Sequence, residues 1–155
     1  PARLISVAMK EPVGIIGIVC PDENPLLSFV SLFAPAMAMG NRTVIVPSEK
    51  YPLLATDLYQ VFDTSDVVHG SINIVTGIRK DLTKTIAEHD EVDAIWYFGS
   101  DAGSAAVEKG SIGNLKRTWV NNGKARDWFD RAQGEGEEFL RYATEIKNIW
   151  VPYGE

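Results

Sequence analysis

A doubly wound α/β fold, with five mostly parallel strands and helices on both faces, is predicted by three observations. The first is Val13 to Val19, an almost unbroken apolar run with two glycines. A strand without a polar face needs cover on both sides, as in a parallel sheet. The second is the helix-and-strand pattern immediately after it. Asn24-Pro25 suits a helix cap with proline at the first helical position. Leu26 to Met39 is apolar nearly all round, Gly40-Asn41 supplies a stop, and Thr43 to Val46 reads as a second buried strand. The third is that strand-like and helix-like stretches keep alternating, with short loops, as far as Val120.

In chain order, Arg3 to Met9 reads as an extended lead-in, because Glu11-Pro12 breaks any helix. Pro35 falls inside the first helix and should bend it. Tyr51-Pro52 opens a second helix, Leu53 to Phe62, with Leu54, Leu58, Val61 and Phe62 on one face. Asp63 to Gly70 is a polar loop. Ile72, Ile74 and Val75 form a third strand. Asp81 to His89 is a helix that buries Leu82, Ile86 and Ala87. Asp93 to Phe98 is the fourth strand, Gly99-Ser100 turns into a helix over Asp101 to Lys109, and Leu115 to Val120 is the fifth strand. Beyond Lys124, Gly134-Glu135-Gly136 is a turn, Glu137 to Ile146 is helical with Phe139, Leu140, Ala143 and Ile146 inward, and Ile149 to Val151 is a short last strand.

At 155 residues the chain suits one domain with a real core. It is 45% hydrophobic and 23% charged, with a net charge of −6. An acidic balance argues against a general nucleic-acid or anionic-membrane surface. The single cysteine, Cys20, has no disulfide partner within the chain and suits a reducing compartment. His69 and His89 lack metal-ligand spacing, so no metal site is predicted. The longest apolar run is too short for the roughly 20 residues that span a bilayer. The chain has no initiator methionine and breaks off after Trp150-Val151-Pro152, so it reads as a piece of a longer polypeptide.

Several phrases in order resemble the nucleotide-binding domain of aldehyde dehydrogenases. They are Glu11-Pro12-Val13-Gly14, Pro21-Asp22-Glu23-Asn24-Pro25-Leu26, Ala34-Pro35-Ala36-Met37-Ala38-Met39-Gly40-Asn41, Val46-Pro47-Ser48-Glu49, Val75-Thr76-Gly77 and Val92-Asp93-Ala94-Ile95 leading to Phe98-Gly99-Ser100. The resemblance covers residues 11–124, and 125–155 diverges. It implies a Rossmann-like domain, a cytoplasmic protein and a homo-oligomer, with the lead-in joining an arm that takes part in oligomer contacts. Val19-Cys20-Pro21-Asp22-Glu23, Trp96-Tyr97-Phe98-Gly99-Ser100 and Gly113-Asn114-Leu115-Lys116 look most like the degenerate second domain of family 16 aldehyde dehydrogenases.

The framework phrases match, but the chemical positions do not. No cysteine follows Lys124, where the family places its nucleophile, and Cys20 sits at the end of a buried strand. The family's oxyanion-side asparagine falls on Glu23, a carboxylate with no N–H to donate. Its general-base glutamate falls on Val120. No catalytic residue is therefore assigned. The cofactor cradle is reduced to Ser48, Glu49, Gly99 and Ser100. The lysine that helps hold the adenosine ribose in the family is Val46 here, a loss of about 1.5–3 kcal/mol for a missing charged hydrogen bond. Asp101 would repel a diphosphate at the helix start, and is read as an N-cap or first-turn acid of its own helix. The family's second turn glycine falls on Ser104, with Gly103 one place early.

The expectation is a non-catalytic domain with a structural or interaction role, partnered by the rest of its polypeptide. Two alternatives stand beside it. One is an NAD(H)-binding regulatory module. The other is part of an active NAD-dependent enzyme completed by residues outside the chain. Trp96 and Trp119 are read as core. Trp128-Phe129 and Trp150 are read either as a partner surface or as packing under the last helix.

Overall fold

The computed structural model describes residues 3–153. Its centre is a five-stranded sheet of β2 (Ile15–Val19), β3 (Arg42–Val46), β4 (Ile72–Ile74), β5 (Ala94–Tyr97) and β6 (Arg117–Val120), in the order β4-β3-β2-β5-β6. Every neighbouring pair is parallel. Apolar sequence on both faces of a strand therefore meets helices on both faces of the sheet.

The period of two sorts the side chains. Ile16, Ile18, Ile45, Ala94 and Trp96 point to one face, where they pack with Phe29, Leu32 and Ala36 of α1 (Pro25–Ala38). Val19, Val46, Ile95 and Tyr97 point to the other, against Ile86 and Ala87 of α4 (Arg79–Glu88) and Val107 of α5 (Asp101–Gly110). Gly17 is on this second face. A Cβ there would run into Ile86, so glycine is what lets α4 lie close to the sheet.

The start of α1 differs in detail from the expectation. Asn24 holds the cap position in the left-handed region, φ 47°, and its side chain makes no capping bond. Its carbonyl accepts from the Ser28 N–H at 2.8 Å, so the backbone begins the helix. Asparagine tolerates this conformation better than most residues. The helix expected over Leu53 to Phe62 is two short ones, α2 (Leu53–Thr56) and α3 (Tyr59–Asp63). The Leu58 N–H tightens to the Ala55 carbonyl, which ends the first of them. Leu58 and Phe62 pack inward, while Leu54 and Val61 are exposed.

The tail closes the α1 face. After α6 (Arg131–Gly134), α7 (Glu137–Tyr142) brings Phe139 under Trp119 and Trp128. Trp128 is thus core, whereas Phe129 and Trp150 are exposed. The helix expected to reach Ile146 stops at Tyr142. From Thr144 the chain is a strand, β7 (Thr144–Tyr153), paired antiparallel over its whole length with β1 (Arg3–Pro12). Ile146 is accordingly exposed rather than inward, and Leu140, within α7, is exposed while its neighbour Phe139 is buried.

Two polar anchors root this two-stranded ribbon. The buried Asn41 side chain donates to the carbonyls of Ala36 at 2.9 Å and Ala143 at 2.8 Å, and accepts from the Gly14 N–H at 3.0 Å. Arg117 donates to the Thr144 carbonyl at 2.8 Å.

Candidate functional site

The strand order reverses between β2 and β5. In an open parallel sheet, ligands bind outside the carboxyl ends of the strands at such a reversal. Two spaces lie there. A cleft of about 550 Å³ runs between α4 and α5, lined among others by Glu49, Arg79, Thr83, Lys84, Tyr97 and Gly103. A hollow of about 390 Å³ lies over the sheet ends, lined by Pro21, Asp22, Glu23, Phe98, Asn121 and Lys124 among others. Arg79 and Ser100 border both.

The residues expected to cradle a cofactor fall into two pairs. Ser48 and Glu49 follow β3; Gly99 and Ser100 follow β5. Glu49 and Ser100 face the same cleft, so the fold does bring the pairs to one side of the crevice. Each of the four is already engaged. The Ser48 hydroxyl donates to Asp22 Oδ1 at 2.6 Å and accepts from the Tyr51 N–H at 3.2 Å. Glu49 Oε2 accepts from the Arg79 backbone N–H, at the first residue of α4, at 3.2 Å. The Gly99 N–H donates to Asn121 Oδ1 at 2.9 Å. Ser100 is the N-cap of α5, its Oγ accepting from the Gly103 N–H at 3.1 Å. The acid at this helix start, Asp101, is a first-turn residue.

The α5 turn is also filled from beneath. The Tyr97 hydroxyl lies under Gly99 and Gly103, and a Cβ on Gly103 would collide with it. Glycine one place early thus makes room for a tyrosine ring. Ser104, at the expected glycine position, is fully buried. It donates to the Ser100 carbonyl at 3.2 Å and accepts from the Asn122 N–H at 3.1 Å.

Asp22 and Arg79 are the residues that sequence reasoning missed. The Arg79 guanidinium donates to Asp22 Oδ1 at 2.7 Å. An acid after the buried strand and an arginine at the head of a helix were the available signals, but 57 positions separate them. Burial works against the Asp22 charge. The Ser48 hydroxyl, the Arg79 guanidinium and Lys50 outweigh it and hold the carboxyl below its usual value of 3.8. A carboxyl with a lowered folded pKa contributes stability above its unfolded value, and that contribution is lost as pH falls through the folded one. Asp22→Asn is therefore expected to flatten the acid limb of a thermal-melting profile below about pH 4. An unchanged limb would mean that the pair carries no such linkage.

Cys20 is wholly buried, and burial pushes its thiol up to about 12 against the opposing pull of Arg79. At neutral pH it is a protonated core side chain. Val120 lies in β6 and offers no base. Thr83 Oγ1, at the cleft, is buried without a hydrogen-bond partner. Among the described residues no cluster of metal-ligating side chains occurs, and no helix is long and apolar enough to cross a membrane.

The aldehyde dehydrogenase family model matches residues 2–126. The chain belongs to the aldehyde dehydrogenase family. It is 32% identical over 120 residues to the NADP/NAD-dependent aldehyde dehydrogenase PuuC of Escherichia coli, covering 77% of this chain and 24% of that protein. It is 34% identical over 122 residues to human retinaldehyde dehydrogenase 3, covering 78% and 24%. Among solved structures, a mutant aldehyde dehydrogenase C of Pseudomonas syringae complexed with NAD+ and octanal superposes with a TM-score of 0.72 at 29% identity, over 74% of this chain and 24% of that one. A gamma-glutamyl-gamma-aminobutyraldehyde dehydrogenase of Burkholderia cenocepacia gives 0.71 at 36% identity, over 76% and 24%. The chain spans about a quarter of the length of these relatives.

The residues present fit a dinucleotide poorly. Its expected partners Ser48 and Glu49 are bonded within the chain, Val46 offers no cation, and Arg79, which borders both spaces, is paired with Asp22.

Proposed function

We propose that this chain is a non-catalytic domain of an aldehyde dehydrogenase family protein, most like the degenerate second domain of family 16, and that its work is assembly. The β1–β7 ribbon carries this reading. Its register puts Ile5 opposite Val151, Val7 opposite Ile149, and Arg3 opposite Tyr153. Facing residues share a side of the ribbon, so Ile5, Val7, Met9, Ile149, Val151 and Tyr153 form one apolar surface. All but the half-buried Ile149 are exposed. An isolated two-stranded ribbon is marginal in water, and a contiguous exposed apolar face marks an interaction surface. Its partner is a second copy of this chain or the remainder of the parent polypeptide, in the cytoplasm.

Three further features support the loss of chemistry. A carboxylate, Glu23, stands at the oxyanion-donor position. Val120 stands at the base position. The one thiol is buried and protonated. Incubated with NAD+ and a panel of aliphatic and aromatic aldehydes, the purified chain is expected to produce no NADH absorbance above buffer. In sedimentation it is expected to be associated at micromolar concentration. Sustained NADH production would overturn the non-catalytic part of the reading, and a monomer at every concentration the assembly part.

A further inference from the structure

The crevice at the strand reversal is one region in outline but two spaces in fact. The α4–α5 cleft and the hollow over the sheet ends meet at Arg79 and Ser100. From the head of α4 the Arg79 guanidinium reaches the loop after β2 and binds Asp22 at 2.7 Å. The pair is braced on both sides. Ser48 donates to the same Asp22 oxygen at 2.6 Å, and Glu49 holds the Arg79 backbone N–H. The two side chains are only 17% and 22% exposed, so salt screens their attraction less than that of a surface pair.

We propose that the Arg79–Asp22 ion pair is a partition across this crevice, which excludes a dinucleotide by dividing the space that such a ligand would have to span. The proposal rests on the non-catalytic reading above and names the device that keeps the cofactor out. It acts twice. The guanidinium fills the junction of the two spaces. A ligand that displaced it would also leave the Asp22 carboxylate, largely out of water, facing the ligand's phosphates, and like charges brought together in an interface oppose binding. The Ser48 brace matters as much as the pair, because its hydroxyl proton cannot serve a ligand while it is given to Asp22.

The test titrates NADH, followed by its fluorescence, and AMP, followed by calorimetry, into the full chain and into Arg79→Ala. Arg79→Ala is expected to bind NADH at least tenfold more tightly than the unsubstituted chain, with AMP changed less than threefold. Asp22→Asn keeps an acceptor for Ser48 but releases the guanidinium. It is expected to move NADH affinity in the same direction, and it is the informative variant if Arg79→Ala does not fold. Circular dichroism and melting establish folding in each. Three results would overturn the partition: NADH already bound at micromolar affinity by the unsubstituted chain, equal gains for NADH and AMP, or no NADH gain in a folded variant. Sedimentation of the same samples reports on the assembly reading separately. A chain that is monomeric yet gains NADH affinity on substitution sinks that reading and keeps the partition, and the opposite pattern does the reverse.

Discussion

Val7→Lys together with Val151→Lys is expected to convert an associated species into a monomer while leaving the α/β core folded. Both residues lie on the side of the ribbon that carries Ile5, Met9, Ile149 and Tyr153, and both are exposed. Buried in an interface, two lysines would each need desolvation with no opposing charge, a cost of several kcal/mol per ion. In a free ribbon the same lysines sit in water at little cost. The substitution therefore separates a surface that must be covered from one that is merely apolar. Asn148→Lys is the control. It is exposed on the opposite side, next to Trp150, and should leave association unchanged. The readout is the sedimentation coefficient across a concentration series, with far-UV circular dichroism to verify the fold. Association that survives both lysines would move the interface elsewhere.

Trp119→Ala is expected to cost about 3–5 kcal/mol of folding stability, the range for deleting a large buried aromatic. Domains of this size are stable by only about 5–15 kcal/mol, so the loss would take a large share. The ring stacks on Tyr142 at a centroid distance of 4.1 Å. It also meets Trp96, Phe98 and Phe139 edge-on at 5.0–5.3 Å. The Arg126 guanidinium lies 5.4 Å from it and is held by Glu138 and the Gln133 carbonyl. Trp119 thus joins the sheet to the tail, and its removal should loosen α7 and the root of the ribbon together. Urea unfolding in the Val7→Lys/Val151→Lys background measures this without a contribution from association. Trp150→Ala in the same background should change stability by less than about 0.5 kcal/mol, as for other surface sites. A small effect at Trp119 would mean that the tail is not part of the cooperative core.

The sheet is legible in the sequence because its signals are local. A strand that is apolar on both faces, a helix closed by Gly40-Asn41, and alternation with short loops each lie within a few residues of one another. The same locality limits the reading of the tail. Thr144–Tyr153 is a strand, but its partner is Arg3–Pro12, at the other end of the chain. Nothing between them announces the pairing, so local pattern places Ile146 on a helix's inner face when it belongs to an exposed strand. The site follows the same division. Glu23, Val120 and Cys20 can be judged against the family's chemistry residue by residue. That Ser48, Glu49, Gly99 and Ser100 are each bonded within the chain cannot.

By itself, the amino-acid sequence determined the family and the parallel α/β layering. These follow from side-chain chemistry and short-range periodicity, which need no coordinates. Tertiary structure alone decided that Arg79 reaches Asp22, that the Tyr97 ring fills the space which Gly103 leaves open, that Trp128 is core while Trp150 is exposed, and that the two end strands form one ribbon with an uncovered apolar face. Each of these joins groups brought together by different elements. Such contacts depend on where whole strands and helices come to rest, and no local pattern of residues carries that information.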